Sequence, residues 1–143
     1  MKTKVKEIMK PDVELINPEA TLTDAAQMMK ELECGVLPVG TEENIEGIIT
    51  DRDIVVRALS EGKNPAKEKV RDNMTEDILF CKETDLVQDA ARMMHDNNVS
   101  RLLVKNNTGA VSGILTFGSI LRKGRDQTEV SECVACATGK KAA

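Results

Sequence analysis

The sequence predicts an α/β fold, of the mixed α+β kind, in which one small strand–helix–strand–strand–helix unit occurs twice. Three matches carry that prediction. Asp24-Ala25-Ala26-Gln27-Met28-Met29 returns 65 residues later as Asp89-Ala90-Ala91-Arg92-Met93-Met94. Val5-Lys6-Glu7-Ile8-Met9 returns as Val70-Arg71-Asp72-Asn73-Met74 at the same offset. Gly47-Ile48-Ile49-Thr50 returns as Gly113-Ile114-Leu115-Thr116 at an offset of 66, one residue having entered a loop. A repeat that keeps register through helix-like and strand-like stretches marks two copies of one fold. A copy of about 65 residues buries too little surface to be secure alone, so pairing of the copies is expected to supply the missing core.

Each copy opens on an extended piece, Val13-Glu14-Leu15-Ile16 in the first and Ile78-Leu79-Phe80-Cys81 in the second. A helix follows. Thr21 is suited to cap it, and Leu22, Ala25, Ala26, Met29 and Leu32 recur at helical spacing. In the second copy Asp85 takes the cap position, and Val87, Ala90, Ala91 and Met94 form the buried stripe. These helices stop near Glu33-Cys34-Gly35 and Asn97-Asn98. Two short strands come next, Val36-Leu37-Pro38-Val39 and Ile45 to Thr50, repeated as Arg101-Leu102-Leu103-Val104 and Val111 to Thr116. Polar turns separate them, Thr41–Asn44 and Asn106–Gly109. Pro38 is placed at a strand edge or start, where its missing donor does little harm. A closing helix runs from Asp51 through Ile54, Val55, Ala58 and Leu59; its counterpart begins near Gly118 and carries Ile120 and Leu121. The boundaries read along the chain are thus 4–61, a connector at 62–69, 70–123, and a tail at 124–143.

Composition narrows the function. A net charge of −4 with no long basic run argues against nucleic-acid binding. Phe80 and Phe117 are the only aromatic residues, so the core is aliphatic and a ligand base would be held by aliphatic contact and backbone hydrogen bonds. No apolar stretch approaches a membrane span, which makes the cytoplasm the expected location and reduced thiols the expected state of the four cysteines. Catalysis is not expected, because no nucleophile–base pattern, phosphate loop with lysine or complete metal set is present. Cys133-Val134-Ala135-Cys136 is half of a zinc site, and a closed structural site needs four ligands. His95, the only histidine, reads as a solvated helix residue.

The repeat, the element order and the phrases Leu37-Pro38-Val39 and Gly47-Ile48-Ile49-Thr50-Asp51-Arg52-Asp53-Ile54 resemble a tandem pair of CBS domains (cystathionine beta-synthase domains), the Bateman module, in its stand-alone bacterial and archaeal form. The resemblance spans roughly residues 4–123. It implies two copies packed about a pseudo-twofold axis, with two clefts that in many members take adenosine-containing ligands. The motif Gly-apolar-apolar-Thr-x-x-Asp falls on Gly47, Thr50 and Asp53. A hydroxyl and backbone N–H groups at a helix start suit phosphate, and a carboxylate one turn on suits the two hydroxyls of a ribose. By the same resemblance the opposite wall comes from the other copy. The backbone of Ile78 and Leu79 would read the adenine edge, and Val99, Ser100 and Arg101 would line the phosphate end, where a planar guanidinium is apt.

The second cleft is poorer. It keeps Thr116, but Ser119 stands for Asp53, Val36 for Arg101 and Glu14 for Leu79; Val13 would line it. One competent site and one weak or empty site are expected. The reading is therefore a regulatory sensor of AMP, ADP or ATP, with no required cofactor, acting on an unidentified partner. By resemblance, two chains would associate through their helices as a homodimer. The alternatives are S-adenosylmethionine or a dinucleotide in the same cleft, or a metal- or redox-responsive interaction protein using Cys133 and Cys136. Thr50 and Asp53 also have a plain structural explanation, since Thr ends strands and Asp opens helices without any ligand.

Overall fold

The computed structural model describes residues 2–124 and 126–139. The chain forms two compact units, Glu14–Ile78 and Met1–Val13 with Leu79–Ala143.

The unit Glu14–Ile78 holds α2 (Leu22–Leu32), β2 (Val36–Gly40), β3 (Ile45–Thr50), α3 (Asp51–Asp53) and α4 (Val70–Asn73). Thr21 and Asp24 cap α2 reciprocally, each side chain accepting the other's backbone N–H at 3.1 Å. Glu33 ends the helix in the left-handed region at φ 53°. Leu22, Ala25 and Met29 are buried, but Ala26 is exposed, so the buried stripe is narrower than the spacing indicates. Strands β2 and β3 pair antiparallel, from Val36 opposite Thr50 to Gly40 opposite Ile45. Gly40 has φ 126°, and a Cβ there would lie 2.3 Å from the Asn44 carbonyl, so this turn requires glycine. After α3 the helix widens to π-type over Ile54–Leu59, where Ser60 N–H reaches the Val55 carbonyl at 2.9 Å.

The other unit holds α1 (Val5–Ile8), β1 (Lys10–Pro11), β4 (Phe80–Lys82), α5 (Val87–Asp96), β5 (Arg101–Lys105), β6 (Val111–Thr116), α6 (Phe117–Lys123) and α7 (Gln127–Thr138). Its sheet runs β1-β6-β5-β4, with β4 parallel to β5 and the other pairs antiparallel. Its core includes Val5, Ile8, Ala91, Met94, Leu102, Leu115, Ile120 and Cys133.

Four findings depart from or add to the reading along the chain. The first concerns the leading segments. Each leading segment packs with the opposite copy: Val5 N–H bonds the Asp85 carbonyl and Val87 N–H the Thr3 carbonyl, while Val70 N–H bonds Ala20 and Leu22 N–H bonds Glu68. Val5 and Val70 are both fully buried plugs, so apolar burial and four matching backbone bonds fix the exchange. Residues 62–69 are held in this arrangement too, Thr23 N–H bonding the Pro65 carbonyl at 3.2 Å.

The second is the opening strand of the first copy. In the second copy Leu103 N–H donates to the Leu79 carbonyl at 3.0 Å, and β4 forms beside β5. Pro38 stands at the position of Leu103 and has no N–H to give to Glu14. Residues 13–16 therefore keep only an isolated bridge, Ile16 to Val39. The missing donor costs a strand.

The third is the cap of α5. Leu86 holds the cap position, with no side-chain bond, because the Asp85 carboxylate turns back to accept Lys82 N–H at 2.9 Å. The fourth is the tail. Its described part is mostly helix α7, capped by Asp126 on Thr128 and Glu129 N–H; residues 125 and 140–143 lie outside the described residues. Gln88–Glu132 and Arg92–Cys136 both join residues 44 apart, so α7 runs parallel to α5. Glu129 ties it further, accepting from Thr3 N–H at 2.7 Å and the Thr3 hydroxyl at 2.8 Å.

Candidate functional site

The junction of β3 and α3 gathers a compact polar cluster within the unit Glu14–Ile78. Thr50 closes the strand in extended conformation, and its Oγ accepts Asp53 N–H at 3.1 Å. Asp53 Oδ2 returns the bond by accepting Thr50 N–H at 3.0 Å. This reciprocal cap fixes both side chains to the backbone. Thr50 Oγ accepts in that bond, so its own proton is left to give. Both residues are buried.

Two further residues complete the cluster. The Thr75 hydroxyl lies 3.1 Å from Asp53 Oδ1 and 3.2 Å from Oδ2. Arg57 Nε lies 3.5 Å from Oδ1, and its Nη1 donates to the Met74 carbonyl at 2.9 Å. Thr75 is itself pinned to β3 by two backbone bonds with Ile48, at 2.8 and 2.9 Å. Gly47 makes this approach possible: a Cβ there would be 2.6 Å from the Thr75 carbonyl. Thr75 and Arg57 were not among the residues singled out from sequence. The available signals were helical spacing, Arg57 following Asp53 by four, and a difference between copies, Lys10 standing where Thr75 does.

The remaining candidates divide between the units. Ile78 belongs with Thr50 and Asp53, and its N–H bonds the Glu76 carbonyl at 2.9 Å. Leu79, Val99, Ser100 and Arg101 belong to the other unit. There the Leu79 carbonyl serves β5, Val99 packs on the core, and the Ser100 carbonyl accepts Phe117 N–H at 2.9 Å. Arg101 begins β5 half-buried, opposite Thr116, as Val36 stands opposite Thr50.

At the equivalent junction of that unit, Thr116 Oγ1 accepts Ser119 N–H at 2.9 Å and lies 2.8 Å from Ser119 Oγ. Two hydroxyls satisfy each other where the first copy has a carboxylate. Val13, the other residue read into the weak cleft, is half-buried at the end of its leading segment.

The thiols lie elsewhere. Cys133 faces the core, and burial pushes its thiol up to about 11, with Glu129, Cys136 and Glu132 adding to the effect. Burial pushes Cys81 up to about 12, with Asp85 contributing. A thiol held protonated is a poor nucleophile and a poor metal ligand. Among the described residues no three His, Cys, Asp or Glu side chains converge as a metal set. Nor is any helix among them long and apolar enough to cross a membrane.

A family model described as the CBS domain matches residues 5–60 and again 68–126. An uncharacterized protein of Methanopyrus kandleri is 34% identical over 119 residues, which cover 82% of this chain and 61% of that protein. Thus the chain spans under two thirds of that relative's length. Hypoxic response protein 1 of Mycobacterium tuberculosis is 31% identical over 121 residues, 84% of each chain. Two of the similar solved structures carry adenosine-containing ligands. A CBS domain pair in complex with 5′-methylthioadenosine and S-adenosyl-L-methionine has a TM-score of 0.75 at 27% identity, covering 85% of this chain and 95% of that one. CBSX2 in complex with AMP has a TM-score of 0.66 at 26% identity, covering 83% and 93%.

Proposed function

Since the chain belongs to the CBS-domain family, with two tandem copies of the domain, we propose that it is a regulatory protein that binds an adenine nucleotide (AMP, ADP or ATP) and passes that state to a partner. The observation that carries the reading is the difference between the two strand–helix junctions. One has a buried carboxylate beside a threonine hydroxyl, Asp53 and Thr50; the other has only hydroxyls, Thr116 and Ser119. A carboxylate is the natural acceptor for a ribose diol, and the Thr50 hydroxyl keeps a proton for a phosphate oxygen. On this reading the backbone at Ile78 and Leu79 meets the base, Val99 and Ser100 line the wall, and the Arg101 guanidinium meets phosphate. The second site, with Val13, Thr116 and Ser119, binds weakly or not at all. The protein needs no cofactor and catalyses nothing itself.

The neighbour in complex with S-adenosyl-L-methionine and 5′-methylthioadenosine supports a second reading, a sulfonium nucleoside in the same site. The two differ at Arg101, because those ligands carry no phosphate. Calorimetric titration with AMP, ADP, ATP and S-adenosyl-L-methionine separates them. Asp53→Ala is expected to weaken every adenosine ligand, by about tenfold or more for a charge-assisted contact. Arg101→Ala is expected to weaken only the phosphate-bearing ones. Undiminished nucleotide binding in both variants sinks the assignment.

Association as a homodimer in the cytoplasm completes the proposal. Val55, Val56 and Leu59 of one unit and Leu121 of the other are large apolar residues left exposed, and Val55 and Leu121 hold equivalent places in the repeat, which supports an isologous contact. Sedimentation of wild type against Val55→Glu tests it.

A further inference from the structure

The Asp53 carboxylate already has an occupant. Its contacts are the Thr50 N–H on Oδ2 at 3.0 Å, Arg57 Nε at 3.5 Å from Oδ1, and the Thr75 hydroxyl at 3.1 and 3.2 Å from the two oxygens. A donor nearly equidistant from both oxygens stands on the bisector in front of the carboxylate. A vicinal diol grips a carboxylate from that same side, one hydroxyl on each oxygen. The two arrangements exclude each other.

We propose that Thr75 is an internal stand-in for a ribose hydroxyl, which a nucleotide must displace to reach Asp53, so that Thr75 sets the affinity and ribose selectivity of the site. The proposal rests on the nucleotide reading given above and deepens it. The Thr75 main chain is fixed by its paired bonds with Ile48 whatever its rotamer. Rotation about χ1 to the next staggered well therefore removes the hydroxyl without moving the backbone. Arg57 stays beside the carboxylate and holds the Met74 carbonyl, so the negative charge keeps a partner during the exchange. The two copies of the repeat agree with this assignment. Where the unit formed by Met1–Val13 and Leu79–Ala143 has Ser119 in place of Asp53, it also has Lys10 in place of Thr75. The carboxylate and its occupant are replaced together.

The measurement is calorimetric titration of AMP and 2′-deoxy-AMP into wild type, Thr75→Val, Thr75→Ser and Asp53→Ala. The diol gains two bonds and costs one, whereas the lone 3′-hydroxyl of 2′-deoxy-AMP gains one and leaves Thr75 on the other oxygen, so wild type should favour AMP by no more than about threefold. Thr75→Val, which cannot donate, should bind AMP about five- to tenfold more tightly, with a much smaller gain for 2′-deoxy-AMP. Thr75→Ser should match wild type. If Thr75→Val does not fold, Thr75→Ala carries the same expectation. Weaker or unchanged AMP binding in a folded Thr75→Val, equal gains for both ligands, or strong ribose preference in wild type each overturns the displacement and leaves the nucleotide site standing. Absence of AMP binding by wild type, or binding indifferent to Asp53→Ala, overturns the nucleotide reading and the displacement with it.

Discussion

Gly47→Ala places a methyl group where the main chain of the neighbouring segment already lies. The new Cβ would be 2.6 Å from the Thr75 carbonyl and 3.1 Å from Met74 Sδ. Methionine can swing aside, but a carbonyl held in two backbone bonds cannot. Relief requires residues 74–75 to retreat from β3 by most of an ångström, which breaks both bonds with Ile48. Those bonds are worth about 1 kcal/mol each, and overpacking adds about 1–3 kcal/mol, so a loss of about 3–5 kcal/mol is expected. For a chain of this size, at about 3–4 °C per kcal/mol, that lowers Tm by about 9–20 °C. Thermal unfolding followed by circular dichroism measures it. Gly113→Ala is the internal control: there the nearest atom is Met9 Sδ at 2.5 Å, the end of a flexible side chain, with the Lys10 carbonyl at 2.9 Å. A smaller drop is expected. A Gly47→Ala midpoint within about 2 °C of wild type would refute the argument that backbone contact dictates this glycine.

Further outcomes follow from α7 and the thiols. Glu129→Gln weakens the acceptor for Thr3 N–H and hydroxyl and should cost about 1–2 kcal/mol in urea unfolding; a change below about 0.3 kcal/mol would mean the tie is incidental. Cys81 and Cys133 have folded pKa values raised from 9.0 to about 12 and about 11. Above pH 9 the unfolded chain releases protons that the folded one keeps, so stability is intact below that pH and falls as it rises. The double variant Cys81→Ala, Cys133→Ala should show a shallower fall between pH 9 and 11 than wild type; equal slopes refute the assignment.

Much of the architecture was legible because its signals are local. Thr21 with Asp24, the stripe Leu22-Ala25-Met29 and the glycine-bounded hairpins each act over a few residues. The strand–helix junctions were legible because the motif sets Thr50 three residues from Asp53, the spacing of a reciprocal cap. What escaped was decided by partners distant in sequence. Pro38 looked harmless because its effect appears only when residues 13–16 come alongside and seek its donor. Helix α7 does carry Val130, Cys133, Val134 and Ala137 at helical spacing, but a stripe so weak in large side chains declares itself only when α5 covers it. Thr75 escaped for the same reason, being joined to Asp53 across 22 residues.

The exchange of leading segments makes one unit an insertion within the other. Residues 14–78 are contiguous and can complete their fold as soon as they are synthesised, whereas residues 2–13 must wait for partners from position 79 onward. Residues 2–13 are thus made before residues 14–78 yet placed after them, and Val5 stays exposed to misassociation through that interval. Removal of residues 2–13 should consequently damage the second repeat and spare the first.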